Sequence, residues 1–120
     1  MHDLMVLLAH GSSDKNWAET FFVLTNTSRM KHDNVRLAFM ELNPPSLSEV
    51  VRNAVQEGFT SITVLPLFLA RGKHLKHDIP QQLTILENDL GITTKLLPPI
   101  GEQAEIANAI ETIIDKQVSS

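Results

Sequence analysis

Four apolar runs rich in strand-forming residues alternate with four helical patterns, and this order strongly constrains the fold. The runs cover residues 4–9, 35–40, 61–69 and 92–97. Strict alternation of strand and helix implies right-handed crossovers and a parallel sheet with helices on both faces. Near-continuous apolar strands are typical of such a sheet. The sequence therefore predicts a small doubly wound α/β fold with a four-stranded parallel sheet in the strand order 2-1-3-4.

Capping residues indicate where the first two helices begin and where one ends. Asp14 or Ser13 can cap the first helix. Ser46 and Glu49 form a capping box before the second helix, in which each side chain accepts a hydrogen bond from the other residue's backbone. Gly58 is placed to end that helix, because glycine favours the left-handed stop position. The last helix is predicted from an apolar stripe of Ile106, Ile110, Ile113 and Ile114.

The start of the third helix is predicted from a proline. Ile79 precedes Pro80 and is biased away from the helical region, yet proline is accepted within a first helical turn. Asp78 forms a capping pattern with Gln81. We therefore expect the helix to begin just after Asp78. On this interpretation His74 and His77 lie in the loop before the helix.

Composition limits the classes of protein to which the chain can belong. Its 120 residues, 42% of them hydrophobic, favour one domain over residues 1–120. A net charge of −4 gives no sign of a nucleic-acid partner. The first apolar run is too short for a membrane span or a signal-peptide core, so we expect a cytoplasmic protein without a membrane partner. With no cysteine, any metal site must use histidine and carboxylate ligands.

Three polar side chains follow the predicted strands at their carboxyl ends. His10 follows the first strand, Glu41 the second and His74 the third. In a parallel sheet these ends meet at one edge, where ligands bind. Each residue alone could be an ordinary loop residue, and His2 and His32 have the character of surface residues. The two histidines expected on adjacent strands favour a functional site.

Two segments carry a more specific resemblance. AHGSSD (residues 9–14) and PLFLARGKHLKHDIP (residues 66–80) resemble the motifs of the small CbiX-type sirohydrochlorin cobaltochelatases, which are class II tetrapyrrole chelatases. The second family motif reads approximately P-x-F-L-x-x-G-x-H-x-x-x-D-I-P, and FMELNPPSL (residues 39–47) resembles the family's segment after the second strand. The resemblance covers essentially the whole chain, so the fold it implies is a flavodoxin-like chelatase half-domain.

The resemblance implies a metal-insertion reaction. A divalent ion, with Co2+ as the first expectation, would enter sirohydrochlorin with loss of two protons and without nucleotide hydrolysis, for cobalamin or a related tetrapyrrole. The family's metal-binding histidines correspond to His10 and His74. Neutral imidazole suits Co, Ni, Fe and Zn, and it can also accept a pyrrole proton. Glu41 could assist as a proton acceptor or a transient ligand.

A cluster of basic residues surrounds His74. Arg71, Lys73 and Lys76 are expected to bind the peripheral carboxylates of the macrocycle, although a solvated basic loop would have the same composition. Ser12 joins this expected substrate-binding set. It lies in the turn Gly11-Ser12-Ser13, whose free backbone N–H groups could hold an anion.

Other functions share these features. A sirohydrochlorin ferrochelatase or nickelochelatase would use the same ligands. A carrier of metal or tetrapyrrole would bind without turnover. A flavodoxin-like signalling module fits less well, because a receiver domain has an acidic cluster after the first strand. Larger chelatases of this superfamily have two such lobes, so the resemblance also implies a homodimer with a shared cleft.

Overall fold

Four strands form one parallel sheet in the computed structural model, which describes residues 3–119. They are β1 (Asp3–Ala9), β2 (Val35–Phe39), β3 (Ser61–Pro66) and β4 (Thr93–Leu96). Their order is β2-β1-β3-β4, and every neighbouring pair is parallel. The predicted fold and strand order are confirmed. His2 lies outside the described residues.

The strands alternate with four α-helices, and two short helical turns precede the last two of them. The helices are α1 (Lys15–Lys31), α2 (Leu47–Gln56), α3 (Ile79–Leu90) and α4 (Ala104–Val118). A π-helical turn, His74–Asp78, leads directly into α3, and a 3-10 turn, Ile100–Glu102, lies before α4.

Two of the predicted helix caps and one stop are present. Asp14, rather than Ser13, caps α1, and its Oδ1 accepts a hydrogen bond of 2.8 Å from the backbone N–H of Asn16. The capping box of α2 is complete, with hydrogen bonds of 2.9 and 3.1 Å between Ser46 and Glu49. Gly58 follows α2 with a φ of 107°, which is the left-handed region that favours glycine.

The two faces of the sheet pack against different helices. Leu4, Val6 and Leu8 of β1 point to one face and are buried in a cluster with side chains of α2 and α3. Leu7 and Ala9 point to the other face and pack in a second cluster with α1. Strand β1 is therefore buried on both sides, which fixes the position of the loop that follows it.

Helix α4 lies away from this core. None of its residues is buried, and Ile110, Ile113 and Ile114 are 49%, 59% and 53% exposed. On the α1 side of the sheet, Leu65 and Leu67 of the neighbouring β3 segment are only half-buried. The radius of gyration is 15.5 Å, whereas a compact chain of this length has roughly 14 Å. The expected helix is present, but its isoleucine stripe does not join the core of this chain.

Within residues 3–119, no helix combines the length and the apolar character that a membrane crossing needs.

Candidate functional site

Two imidazoles meet at the carboxyl ends of β1 and β3. His10 directly follows β1, and His74 begins the π-helical turn that follows β3. The two strands are neighbours in the sheet. The ring centroids are 5.7 Å apart, with an interplanar angle of 67°. The predicted proximity of the two side chains is confirmed.

The orientation of His10 is set by aromatic contacts. Its ring stacks on Phe68 with a centroid distance of 4.0 Å and an interplanar angle of 16°. Phe68 itself is only 5% exposed, so the supporting ring is fixed in the core. The indole N–H of Trp17 donates a hydrogen bond to the backbone carbonyl of His10. The His10 imidazole is half-buried, and Phe68 covers one face of its ring. Stacking of this kind leaves the nitrogen atoms at the ring edge available to a ligand.

His74 is held by the carboxylate of Asp78, a residue that was expected from the sequence to cap a helix. The Nδ1 atom of His74 lies 2.6 Å from Oδ2 of Asp78. Helix α3 begins at Ile79, just after Asp78, as predicted. The side chain of Asp78 makes no capping hydrogen bond, however, and His74 and His77 lie in a π-helical turn, so the predictions of a capping side chain and of a loop are wrong. Pro80 has no N–H, and its ring conflicts with the carbonyl four residues earlier. A wider π turn before it accommodates both effects.

The loops after β1 and β2 touch at Gly11. A Cβ atom on Gly11 would lie 1.5 Å from the carbonyl oxygen of Glu41. The backbone N–H of Ser12 donates a 2.7 Å hydrogen bond to Oδ1 of Asn43, and the Ser12 hydroxyl accepts one from the N–H of Asp14. The expectation of a free N–H at Ser12 is therefore wrong, because the loop after β2 already occupies it.

We expect Gly11→Ala to lower the thermal midpoint of unfolding strongly. The added methyl group collides with a backbone carbonyl, which cannot move as a side chain can, and overpacking of this kind costs about 1–3 kcal/mol or more. Gly72→Ala is the matched control, since a Cβ there has no neighbour within 4 Å. Thermal denaturation followed by circular dichroism measures both. Equal midpoints for the two variants would contradict the close approach.

The basic residues around His74 differ in their partners. Arg71 forms a two-pronged ion pair with Glu102, with N–O distances of 2.7 and 3.1 Å. The hydrogen bonds from Arg71 hold the pKa of Glu102 below its usual range. Lys73 and Lys76 are exposed and form no ion pair within residues 3–119. Their charges are therefore directed to solvent or to a ligand.

An apolar cavity of about 620 Å³ opens beside His10. Its walls come from α1, from the segment after β3 and from the start of α4, and they include Trp17, Leu24, Leu67, Phe68, Leu69 and Ile106. The volume lies in the usual range for small-molecule sites, about 300–1,000 Å³. The apolar part of a small-molecule ligand could therefore lie close to the imidazole.

Among residues 3–119, no three histidine, aspartate or glutamate side chains gather closely enough to hold a metal ion. His10 and His74 are an imidazole pair without a third such ligand, and the exposed Glu41 does not complete them. A divalent ion bound here would keep most of its coordination positions open. Sequence reasoning missed Phe68 and Asp78, although both lie inside the segment 66–80.

Two archaeal relatives match almost the whole chain. The sirohydrochlorin cobaltochelatase of Sulfurisphaera tokodaii is 33% identical over 116 residues, which is 97% of this chain and 94% of the relative. The sirohydrochlorin cobaltochelatase of Sulfolobus acidocaldarius is 31% identical over 115 residues, which is 96% of this chain and 92% of the relative.

Solved structures share the fold. The CbiX protein from Marinobacter aquaeolei VT8 superposes with a TM-score of 0.91 at 39% identity, covering 98% of this chain and 95% of that one. The sirohydrochlorin chelatase SirB from Bacillus subtilis subspecies spizizenii, in complex with cobalt, has a TM-score of 0.83. At 24% identity it shows the fold alone, and the match covers 97% of this chain but 51% of SirB. The CbiX family model matches residues 4–117, and the chain therefore belongs to the CbiX family.

Proposed function

We propose that this protein is a cytoplasmic chelatase that inserts Co2+ into sirohydrochlorin without nucleotide hydrolysis. The observation that carries the proposal is the pair of imidazoles, His10 and His74, with ring centroids 5.7 Å apart beside an apolar cavity. The archaeal relatives named sirohydrochlorin cobaltochelatase support the choice of substrate and metal.

The chemistry follows from a lightly held ion. His10 and His74 bind the incoming metal through unprotonated imidazole nitrogens, and the other coordination positions stay open for the four nitrogens of the macrocycle. Insertion replaces two pyrrole protons by one divalent ion, so two bases are needed. The imidazoles accept protons as the metal leaves them, and Glu41 at the same sheet edge is the proposed further acceptor.

An absorbance assay tests the proposal directly. Purified protein is mixed with sirohydrochlorin and with Co2+, Ni2+ or Fe2+ in separate reactions, and the spectrum of the metallated product is followed. Many product molecules per chain are expected with Co2+, at a rate above the protein-free reaction. A spectral change that stops at one ligand per site would indicate a carrier instead. Faster turnover with Ni2+ or Fe2+ would reassign the metal, since imidazole ligands alone do not separate these ions.

We propose that Lys73, Lys76, Arg71 and Ser12 contact the peripheral carboxylates. Lys73 and Lys76 are the stronger candidates, because Glu102 already neutralises the guanidinium of Arg71. The Ser12 hydroxyl accepts a hydrogen bond from Asp14 and can still donate its own proton to a carboxylate.

Neutralising both lysines is expected to weaken substrate binding. In Lys73→Ala/Lys76→Ala the KM for sirohydrochlorin should rise several-fold while kcat changes less, because the charges act on the periphery of the macrocycle. The effect should shrink at high salt, which screens exposed charges. Lys95→Ala on β4 is the control for loss of an exposed lysine. An unchanged KM at low ionic strength would contradict the assignment.

We further propose that two copies form the working enzyme. The outer part of the stripe on α4, Ile110, Ile113 and Ile114, is apolar and exposed, and the face around Leu65 and Leu67 is apolar and only half-covered. A two-fold axis lets α4 of each copy cover the open face of the other. The length of SirB, of which this chain matches 51%, fits an enzyme built from two such units. The shared cleft would then contain four imidazoles.

A further inference from the structure

The carboxylate beside His74 is not explained by its contribution to the fold. The Oδ2 atom of Asp78 is 2.6 Å from Nδ1 of His74, and the two side chains are 51% and 49% exposed. Exposed ion pairs add little to stability. Asp78 also makes no capping hydrogen bond to α3. Among the described residues, the side chain of Asp78 has one hydrogen-bonding partner, the imidazole of His74 in the candidate site.

The contact has a chemical consequence for His74. A neutral imidazole carries one proton, and the nitrogen without it offers a lone pair to a metal. A carboxylate at Nδ1 favours the tautomer with the proton on Nδ1, which leaves the lone pair on Nε2. Carboxylate partners of metal-binding histidines fix the tautomer and the ring orientation in this way.

We infer that Asp78 is a positioning residue, which holds His74 in the Nδ1–H tautomer so that Nε2 receives the metal ion. The inference rests on the proposed function, since it requires His74 to bind the metal substrate. His10 is oriented differently, by stacking on Phe68. The two imidazoles of the pair thus depend on separate supports, one of them electrostatic and the other apolar.

The test uses Asp78→Ala and Asp78→Asn in the full chain, with Asp89→Ala as the matched control. Asp89 is a half-exposed carboxylate on α3 that forms one ion pair, at 3.0 Å with Arg52. Each variant is titrated with Co2+ alone, and the dissociation constant is read from the visible spectrum of the bound ion. Nitrogen-15 NMR of the metal-free proteins, recorded where the imidazoles are neutral, reports the tautomer of His74. Thermal denaturation checks that each variant is folded.

Asp78→Ala is expected to weaken Co2+ binding about 10–100-fold and to shift His74 toward the Nε2–H tautomer. Asp78→Asn, which keeps an acceptor oxygen but loses the charge, should change both quantities less and in the same direction. If the alanine variant does not fold, Asp78→Asn is the variant that is compared with the wild type. Asp89→Ala should match the wild type.

Two results would overturn the inference: Co2+ affinity in the Asp78 variants equal to that of Asp89→Ala, or weakened affinity with an unchanged His74 tautomer. His74→Ala separates this failure from failure of the proposed function. If His74→Ala binds Co2+ as tightly as the wild type, the metal role of His74 is wrong. If only His74→Ala is impaired, the metal role stands and the role of Asp78 is wrong.

Discussion

Replacing either His10 or His74 by alanine is expected to reduce cobalt insertion about 100-fold or more. Loss of a partner that merely supports a metal ligand typically costs 10–100-fold, and here a ligand itself is removed from the imidazole pair that each chain supplies. Both side chains lie at the sheet edge, so the fold should persist. The measurement is the initial rate of metallated product formation at saturating sirohydrochlorin, with circular dichroism as the folding check.

His77→Ala is the matched control for these variants. His77 lies in the same π-helical turn as His74 and is also exposed. It should retain near-normal activity, which would show that the loss depends on the position of the imidazole and not on the number of histidines. Near-normal insertion by both His10→Ala and His74→Ala would overturn the proposed mechanism.

Changing the outer stripe of α4 is expected to convert a dimer into monomers. Ile110→Glu/Ile114→Lys introduces charges four residues apart in the order that stabilises a helix, so α4 itself should persist. Across a two-fold axis the change removes four apolar side chains that are each about half-exposed in one chain, so each contributes about half of the roughly 1.5–3 kcal/mol of full burial. The sum, about 3–6 kcal/mol, reaches the lower end of the cost of association, about 4–15 kcal/mol. Sedimentation should then report one chain of 13.4 kDa, and insertion activity should fall with the loss of the shared cleft.

The control for this variant is Val23→Glu/Thr27→Lys, which places the same charge pair on exposed positions of α1. It should remain dimeric and active. A dimer that survives the α4 substitutions would remove α4 from the interface. A monomer with full specific activity at every dilution would reject the shared cleft.

Local patterns predicted most of the fold, because each strand and cap depends on neighbours in the chain. Ser46 and Glu49 act on each other's backbone, so a stretch of four residues determines that helix start. Helix α4 shows the limit of the same approach. The spacing of Ile110 and Ile114 predicts a helix with an apolar side, but periodicity does not say which surface covers that side.

The sequence predicted that the two histidines of the candidate site lie close together, but it did not predict the residues that orient them. The proximity of His10 and His74 follows from strand order, because adjacent parallel strands end at one edge. The role of Asp78 was missed, because an aspartate before Ile-Pro fits a helix cap as well as a partner for a histidine four residues earlier. Only the backbone path through the π turn decides between these two.

The stacking of His10 on Phe68 makes one part of the site a property of the protein interior. Phe68 belongs to the cluster that packs α2 and α3 onto the sheet, and it also forms the platform under the imidazole. The packing of Phe68 in the core therefore orients the His10 ring, and with it the lone pair that would bind a metal, while the same packing contributes to the stability of the fold. Substitutions confined to groups that touch the metal would leave this direction unchanged. To re-aim His10 for an ion with another coordination geometry, an engineer would have to repack the interior around Phe68.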